Sequence, residues 1–241
     1  VTFKKNNFGG RDRILTLDAF ASTLDSDAFD AQTIGIVGNY ERTSHLLFQK
    51  PLSWSFGFEV LGSRERPPSV NGVVSPREEY LIAALPVSAL IDTTDSLLDP
   101  TGGFRLGGRL APETSRNSGM QSFYLRSQVD ASYYQAFGGD APDEGRPLVV
   151  AGRVRLGTMP GADLADIAPS RRYYAGGGGS VRGYGFQQIG PRDTLGEPSG
   201  GRSLVELSLE ARIPTSFLDG AVSVVPFIDA GSVSRSVTPD F

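Results

Sequence analysis

The chain has 241 residues, 27 acidic against 23 basic side chains for a net charge of −4, no cysteine and a single histidine, His45. The length suits one domain, the missing cysteines exclude a disulfide framework and a thiolate metal site, and the acidic balance excludes an ordinary nucleic-acid binder. One histidine leaves little from which to build a catalytic triad or a zinc site, so no enzyme, cofactor or metal centre is expected.

Thirty glycines and sixteen prolines interrupt the chain too often for long helices. No run approaches the roughly 18 consecutive apolar residues of a transmembrane helix. Val1 opens no signal-peptide pattern, so the sequence reads as a processed chain or a fragment. Only Lys4, Lys5 and Lys50 are lysine; every other basic residue is arginine. Arginine is preferred where planar, bidentate pairing or partial burial is required.

Taken in order, the chain alternates with period two. Val1–Phe8 reads as the end of a strand. Arg13–Thr23 places Leu15, Leu17, Ala19 and Ala21 opposite Thr16, Asp18 and Ser22. Thr33–Glu41 sets Ile34, Ile36 and Tyr40 against Thr33, Asn39 and Glu41, and Ser53–Gly62 sets Trp54, Phe56, Phe58 and Val60 against Ser53, Ser55 and Glu59. Tyr80–Asp92 carries Leu81, Ala83, Leu85, Val87, Ala89 and Ile91 on one side. Gly103–Ala111 opposes Phe104, Leu106 and Leu110 to Arg105 and Arg109. Phe123–Gln135, Leu148–Thr158, Ser203–Pro214 and Ala221–Val233 complete the set, with Arg126, Asp130, Arg153, Arg155, Glu206, Glu210, Arg212 and Asp229 on their polar faces.

Most of these segments are about 9–13 residues, longer than the ~5–6 of globular sheets and close to the ~9–11 that cross a membrane. A soluble sandwich would bury the apolar face; a transmembrane barrel turns it to lipid and the polar face to a wet interior. Arginine-rich rows with both signs of charge favour the barrel. The connections Arg64–Glu79, Pro112–Ser122 and Pro160–Arg202 are long and share one rim. Arg42–Leu52, Thr93–Gly102, Ala136–Pro147 and Thr215–Gly220 share the other. Short turns face the periplasm in such barrels, which puts the long loops outside.

Arg171–Asp193, RRYYAGGGGSVRGYGFQQIGPRD, is too long for a hairpin turn and too aromatic for disorder. Tyr173, Tyr174, Tyr184, Phe186 and Ile189 need somewhere to be buried. Glycines flanking Arg182 allow close approach to a wall. One reading sends the loop into the barrel, where Arg182 meets Asp229, with Glu206 or Glu210 as alternates. The other leaves the loop outside with its arginine in water.

Val181-Arg182-Gly183-Tyr184, with Arg172–Gly177 before it and Gly190-Pro191-Arg192 after, resembles the arginine loop of the Omp85 family of outer-membrane barrels. Gly200-Gly201-Arg202-Ser203 and Phe227-Ile228-Asp229-Ala230-Gly231 resemble that family's following pieces. Leu98-Asp99-Pro100-Thr101-Gly102-Gly103 is similar to a family turn that ordinarily carries an arginine, absent here. The likeness is closest to the TamA branch.

The resemblance implies part of a sixteen-stranded antiparallel barrel occupying residues 1–241, with a lumen-entering loop over 160–202. The nine or ten strands correspond to roughly the fifth to the thirteenth, without the periplasmic POTRA domains or the terminal strands. It implies an integral outer-membrane protein that inserts or exports β-barrel or autotransporter clients. The partners implied are those clients, the bilayer and a periplasm-spanning TamB-like protein. A BamA-like insertase and a two-partner secretion pore share the loop, and a passive porin is the alternative of another class. Lesser signals are Gly176–Ser180, GGGGS, which lacks the Lys-Ser/Thr ending of a phosphate loop. Two acidic sets, Asp25, Asp27 and Asp30, and Asp140, Asp143 and Glu144, read as solvated charges or weak calcium ligands.

Overall fold

The computed structural model describes residues 1–47, 50–138, 146–217 and 222–240. Twelve strand segments form one sheet in which every pairing is antiparallel. They are β1 (Thr2–Asn6), β2 (Arg13–Asp25), β3 (Asp30–Leu47), β4 (Lys50–Glu65), β5 (Glu78–Ala84), β6 (Val87–Asp92), β7 (Gly103–Asn117), β8 (Met120–Phe137), β9 (Leu148–Thr158), β10 (Ser203–Pro214), β11 (Ser223–Val224) and β12 (Phe227–Ser234). No described helix is long and apolar enough to cross a membrane.

The expected strands Tyr80–Asp92 and Ala221–Val233 are each broken in two. β5 and β6 both pair with β4 and β7, and β11 and β12 both pair with β10. The breaks fall at Pro86 and Pro226, which have no N–H to give the ladder. Each still accepts across it, from the Gly57 amide at 2.9 Å and the Ala211 amide at 3.1 Å. Counting each broken pair once, the described residues build ten wall strands, β1 being the tenth expected from Val1–Phe8.

Two expected connections are corrected. Pro112–Ser122 is strand rather than loop: β7 and β8 run on to a hairpin closed by Ser118 and Gly119, at φ 49° and 86°. Both left-handed angles match the tight turn whose twist suits a hairpin. Pro112 misled because it pairs with Leu125 while its carbonyl still accepts from Leu85 at 3.0 Å. Most of Arg42–Leu52 is likewise β3 and β4, with a register shift between Arg42 and His45. Residues 48–49, the Ala221 start of the last strand, the Leu218–Gly220 part of its connection and the acidic set Asp140, Asp143 and Glu144 lie outside the described residues.

The alternation sorts the side chains onto two faces. Ile34, Ile36, Phe56, Phe58, Val60, Leu81, Leu110, Phe123, Val129, Leu156, Leu207, Leu209 and Ile228 stand exposed on one. An uninterrupted exposed apolar band of this kind is the lipid-facing surface of a membrane barrel. The segment 159–202 touches the opposite face on strands from β4 to β12, so the sheet curves around it and that face is concave.

The concave face is not uniformly polar, as the alternation implied. Towards the rim from which the segment enters it carries Leu61, Tyr80 and Ile82 packed on Ala168. Beside them Tyr124, Leu204 and Val233 pack with Met159, Ile167, Tyr173 and Ala175. Each large apolar side chain buried there contributes about 1.5–3 kcal/mol. The loop therefore supplies the core that the strands alone lack.

Candidate functional site

The inserted segment begins with two short 3₁₀ turns, Leu164–Asp166 and Pro169–Arg171. Arg172, 4 % exposed, staples it internally by donating to the carbonyls of Ile167 and Ser199, each at 3.0 Å. Tyr173 donates its hydroxyl to the Ser127 carbonyl at 2.6 Å. Its ring fills the space over Gly157, where a Cβ would lie 2.6 Å from it. Strand β9 thus needs glycine at that point because the loop approaches so closely.

The GGGGS stretch is a wall contact. Ser180 Oγ accepts the Gly176 amide at 2.9 Å and donates to Glu206. Arg153 donates to the carbonyls of Gly179 at 2.9 Å and Ser180 at 2.7 Å. Val181 is 1 % exposed and packs where Gly231 has no side chain. Gly183 turns the chain with φ 87°, while Tyr184 stays 60 % exposed.

Arg182 sits at the centre. Its amide donates to Asp229 Oδ2 at 2.9 Å, its Nε to the same oxygen at 2.7 Å, and its Nη2 to Oδ1 at 2.8 Å. Nη1 donates to Glu210 Oε2 and Nη2 to Ser208 Oγ, each at 2.9 Å. The Phe227 ring lies 3.7 Å from the guanidinium carbon, a cation–π contact. Four of the five guanidinium N–H bonds are thus directed at the wall, a geometry that lysine cannot reproduce.

Register explains the convergence. Arg153, Ser208 and Asp229 are mutual partners across β9, β10 and β12, and form one row on the concave face. One step towards the entry rim lies Arg155–Glu206–Gly231; one step away lie Glu210 and Phe227. Five residues separate Ser203 from Ser208, so the tip descends about 17 Å along the strand.

The expected contacts divide accordingly. Arg182 meets Asp229 and Glu210. Glu206 does not meet it: its carboxylate takes Arg155 at 3.0 Å and Ser180, one row higher. Ser208, Phe227 and Arg153 were missed as contacts, although Ser208 and Arg153 lay on the polar faces. A second anchor was also missed. Arg171 forks onto Glu113 at 2.8 and 2.6 Å and reaches Glu59 at 3.0 Å, while Ser170 binds Glu65 through its amide at 2.8 Å and its hydroxyl at 2.6 Å. Tyr184 and Phe186, expected to be buried, are 60 % and 70 % exposed.

The turn containing Asp99, Pro100 and Gly102 lies on the other rim and still joins the network. Arg212 donates to Asp99 at 3.2 Å, to the Pro100 carbonyl at 3.1 Å, and through Nε to Glu210 Oε1 at 3.0 Å. Glu210 divides its oxygens between Arg182 and Arg212, linking loop tip and far turn. Asp95 closes the turn by accepting from the Thr101 hydroxyl and from the Thr101 and Gly102 amides at 2.9 and 3.2 Å. Those bonds lower its pKa from 3.8 to about 2. Its contribution is present above 3.8 and is lost as pH falls through about 2. Pepsin cleavage at the exposed Leu97–Leu98 bond is expected to rise over that interval, relative to a free peptide, and Asp95→Ala should show the high rate already at its upper end. Equal cleavage of both proteins throughout would refute this role.

Among the acids weighed as calcium ligands, Asp30 pairs with Arg77 and Asp27 accepts from Gln188 at 3.0 Å. No three His, Asp or Glu side chains among the described residues converge as metal ligands.

The sequence profile of the Omp85 superfamily domain matches residues 1–240. The outer membrane protein assembly factor BamA of Nitratidesulfovibrio vulgaris is 27 % identical over 230 residues, covering 89 % of this chain and 26 % of that protein. The crystal structure of BamA from Haemophilus ducreyi lacking POTRA domains 1–3 superposes with a TM-score of 0.73 at 19 % identity, covering 96 % of this chain and 48 % of that one. The chain therefore spans about a quarter of the curated relative and about half of the solved chain.

Proposed function

The chain belongs to the Omp85 superfamily, and from that premise we propose that it is the loop-bearing wall of an outer-membrane protein assembly barrel. Members are integral β-barrels of the outer membrane, and the exposed apolar band of this chain is the surface that meets lipid. In this reading the 160–202 segment lies in the lumen and braces the wall, while unfolded β-barrel or autotransporter clients are inserted or exported. The observation that carries it is the grip of Asp229 and Glu210 on Arg182, which fastens the loop half-way along β10. The work proposed is templating and wall opening, since an unpaired strand edge can recruit another strand. It requires no catalytic group or cofactor.

The likeness to BamA favours an insertase. A TamA-type translocation factor would use the same Arg182 brace but would depend on a periplasm-spanning TamB-like partner. The test is insertion of an unfolded small barrel client into liposomes containing the protein. Faster insertion than into empty liposomes, lost in Arg182→Ala, supports assembly. A steady, large conductance unaffected by Arg182→Ala, with no faster insertion, would make the protein a passive porin. Activity appearing only with the periplasm-spanning partner would select the TamA-type reading.

A further inference from the structure

The apolar band on the convex face has a defined upper border. One cross-strand row reads Ala21–Ile34–Gly62–Leu81–Arg116. The next row towards the entry rim reads Thr23–Gln32–Arg64–Glu79. Apolar surface gives way to charge within one step. Gly62 leaves a gap at this border: a Cβ there would meet only Ile34, at 3.6 Å. A shallow groove of about 860 Å³ runs across it.

The two arginines beside the groove differ from most others in the chain. Arg77, Arg105, Arg109, Arg155, Arg171, Arg182 and Arg212 each hold a carboxylate. Arg64 and Arg116 are exposed and, among the described residues, their side chains have neither a hydrogen bond nor an ion pair. Glu79 is the register partner of Arg64 but forms no ion pair with it. Two strands and two residues separate the arginines, so their Cα atoms lie about 12 Å apart from sheet spacings alone. Side chains of that length can close on one anion between them. A guanidinium on the outer face of a barrel is costly at mid-bilayer and nearly free at the interface, where its planar fork matches a phosphate.

We propose that this groove binds the phosphate of an anionic membrane lipid, with Arg64 and Arg116 as donors and Ala21, Ile34 and Leu81 as the bed for its first acyl carbons. The groove lies on the face opposite the Arg182 loop, so its failure would leave the assembly reading intact.

The test uses the protein in bilayer discs of phosphatidylcholine doped with phosphatidylglycerol, followed by native mass spectrometry of retained lipid. The expected result is selective retention of phosphatidylglycerol. Arg64→Gln and Arg116→Gln should each weaken it about tenfold, the loss of one charge-assisted contact. Glu79→Gln should strengthen it, an effect that misfolding would not produce. Client insertion in pure phosphatidylcholine should be unchanged in all three variants. Equal retention in every variant would overturn the proposal, as would displacement of the lipid by millimolar inorganic phosphate, which would assign the site to a soluble anion.

Discussion

Replacing Arg182 with alanine is expected to release the loop tip while leaving its base in place. The substitution strands Asp229, whose side chain is 2 % exposed, beside Glu210 with no cation between them. Losing one member of a fully buried ion pair costs about 3–5 kcal/mol. The guanidinium is 27 % exposed, so solvent screening reduces the figure to about 2 kcal/mol. That corresponds to roughly a thirtyfold shift towards the released tip. The chain has no cysteine, and a Cβ at Gly179 meets nothing within 4 Å, so Gly179→Cys gives a clean reporter. Maleimide labelling at that position should accelerate in Arg182→Ala and rise less in Arg182→Lys, which keeps charge without the fork. Unchanged labelling in both would show that the tip is held by something else. A charge swap between Arg182 and Asp229 should rescue little, because Glu210 and Ser208 are built around the same guanidinium.

Arg171→Met is expected to destabilise the barrel itself. Arg171 is 12 % exposed, its forked partner Glu113 is fully buried, and Glu59 turns its other oxygen to Arg109 at 2.7 Å. Without Arg171, Glu113 is a buried charge with no counter-ion, at a cost of about 3–5 kcal/mol. Urea titration of heat-modifiable migration should register that loss as a lower midpoint with unchanged slope. Converting the partner as well, in Arg171→Met with Glu113→Leu, should recover most of it, since a packed apolar pair can replace a buried ion pair at little cost. An unaltered midpoint in the single variant would mean that water already reaches Glu113.

The two anchors have different consequences because they hold different parts of the loop. Arg171 joins its base to β4 and β7, whereas Arg182 joins its tip to β10 and β12. The loop therefore spans the concave face as a brace. Through Glu210 and Arg212 the brace continues to the turn on the opposite rim, where Asp99 is 82 % exposed and its ion pair correspondingly weak.

Much of this was legible in the sequence because a strand exposes its two faces with period two. That alternation alone placed the wall strands and put Asp229 and Glu210 on the same face as the loop. Arg182 stood out because glycines bracket it in a segment otherwise rich in aromatics. Proline was the commonest source of error: Pro112 sits within a continuous strand, whereas Pro86 and Pro226 break theirs. Whether a proline interrupts a ladder depends on whether the neighbouring strand requires its missing N–H at that register, and a single strand does not record this.

The sequence by itself determined the sheet and the lipid-facing band, since both follow from local alternation and charge. It offered the pairing of Arg182 with the polar wall as one of two readings that the structure decides. Only the tertiary structure decided which carboxylates share the guanidinium. Glu206, Ser208 and Glu210 are equivalent in pattern, and register with β9 and β12 sets the height at which the tip stops. Only the fold, too, revealed that the entry end of the concave face is apolar. Leu61, Ile82, Tyr124 and Val233 are buried there by a loop distant in sequence, and no local pattern encodes a contact that exists only after the sheet has curved around its own insertion.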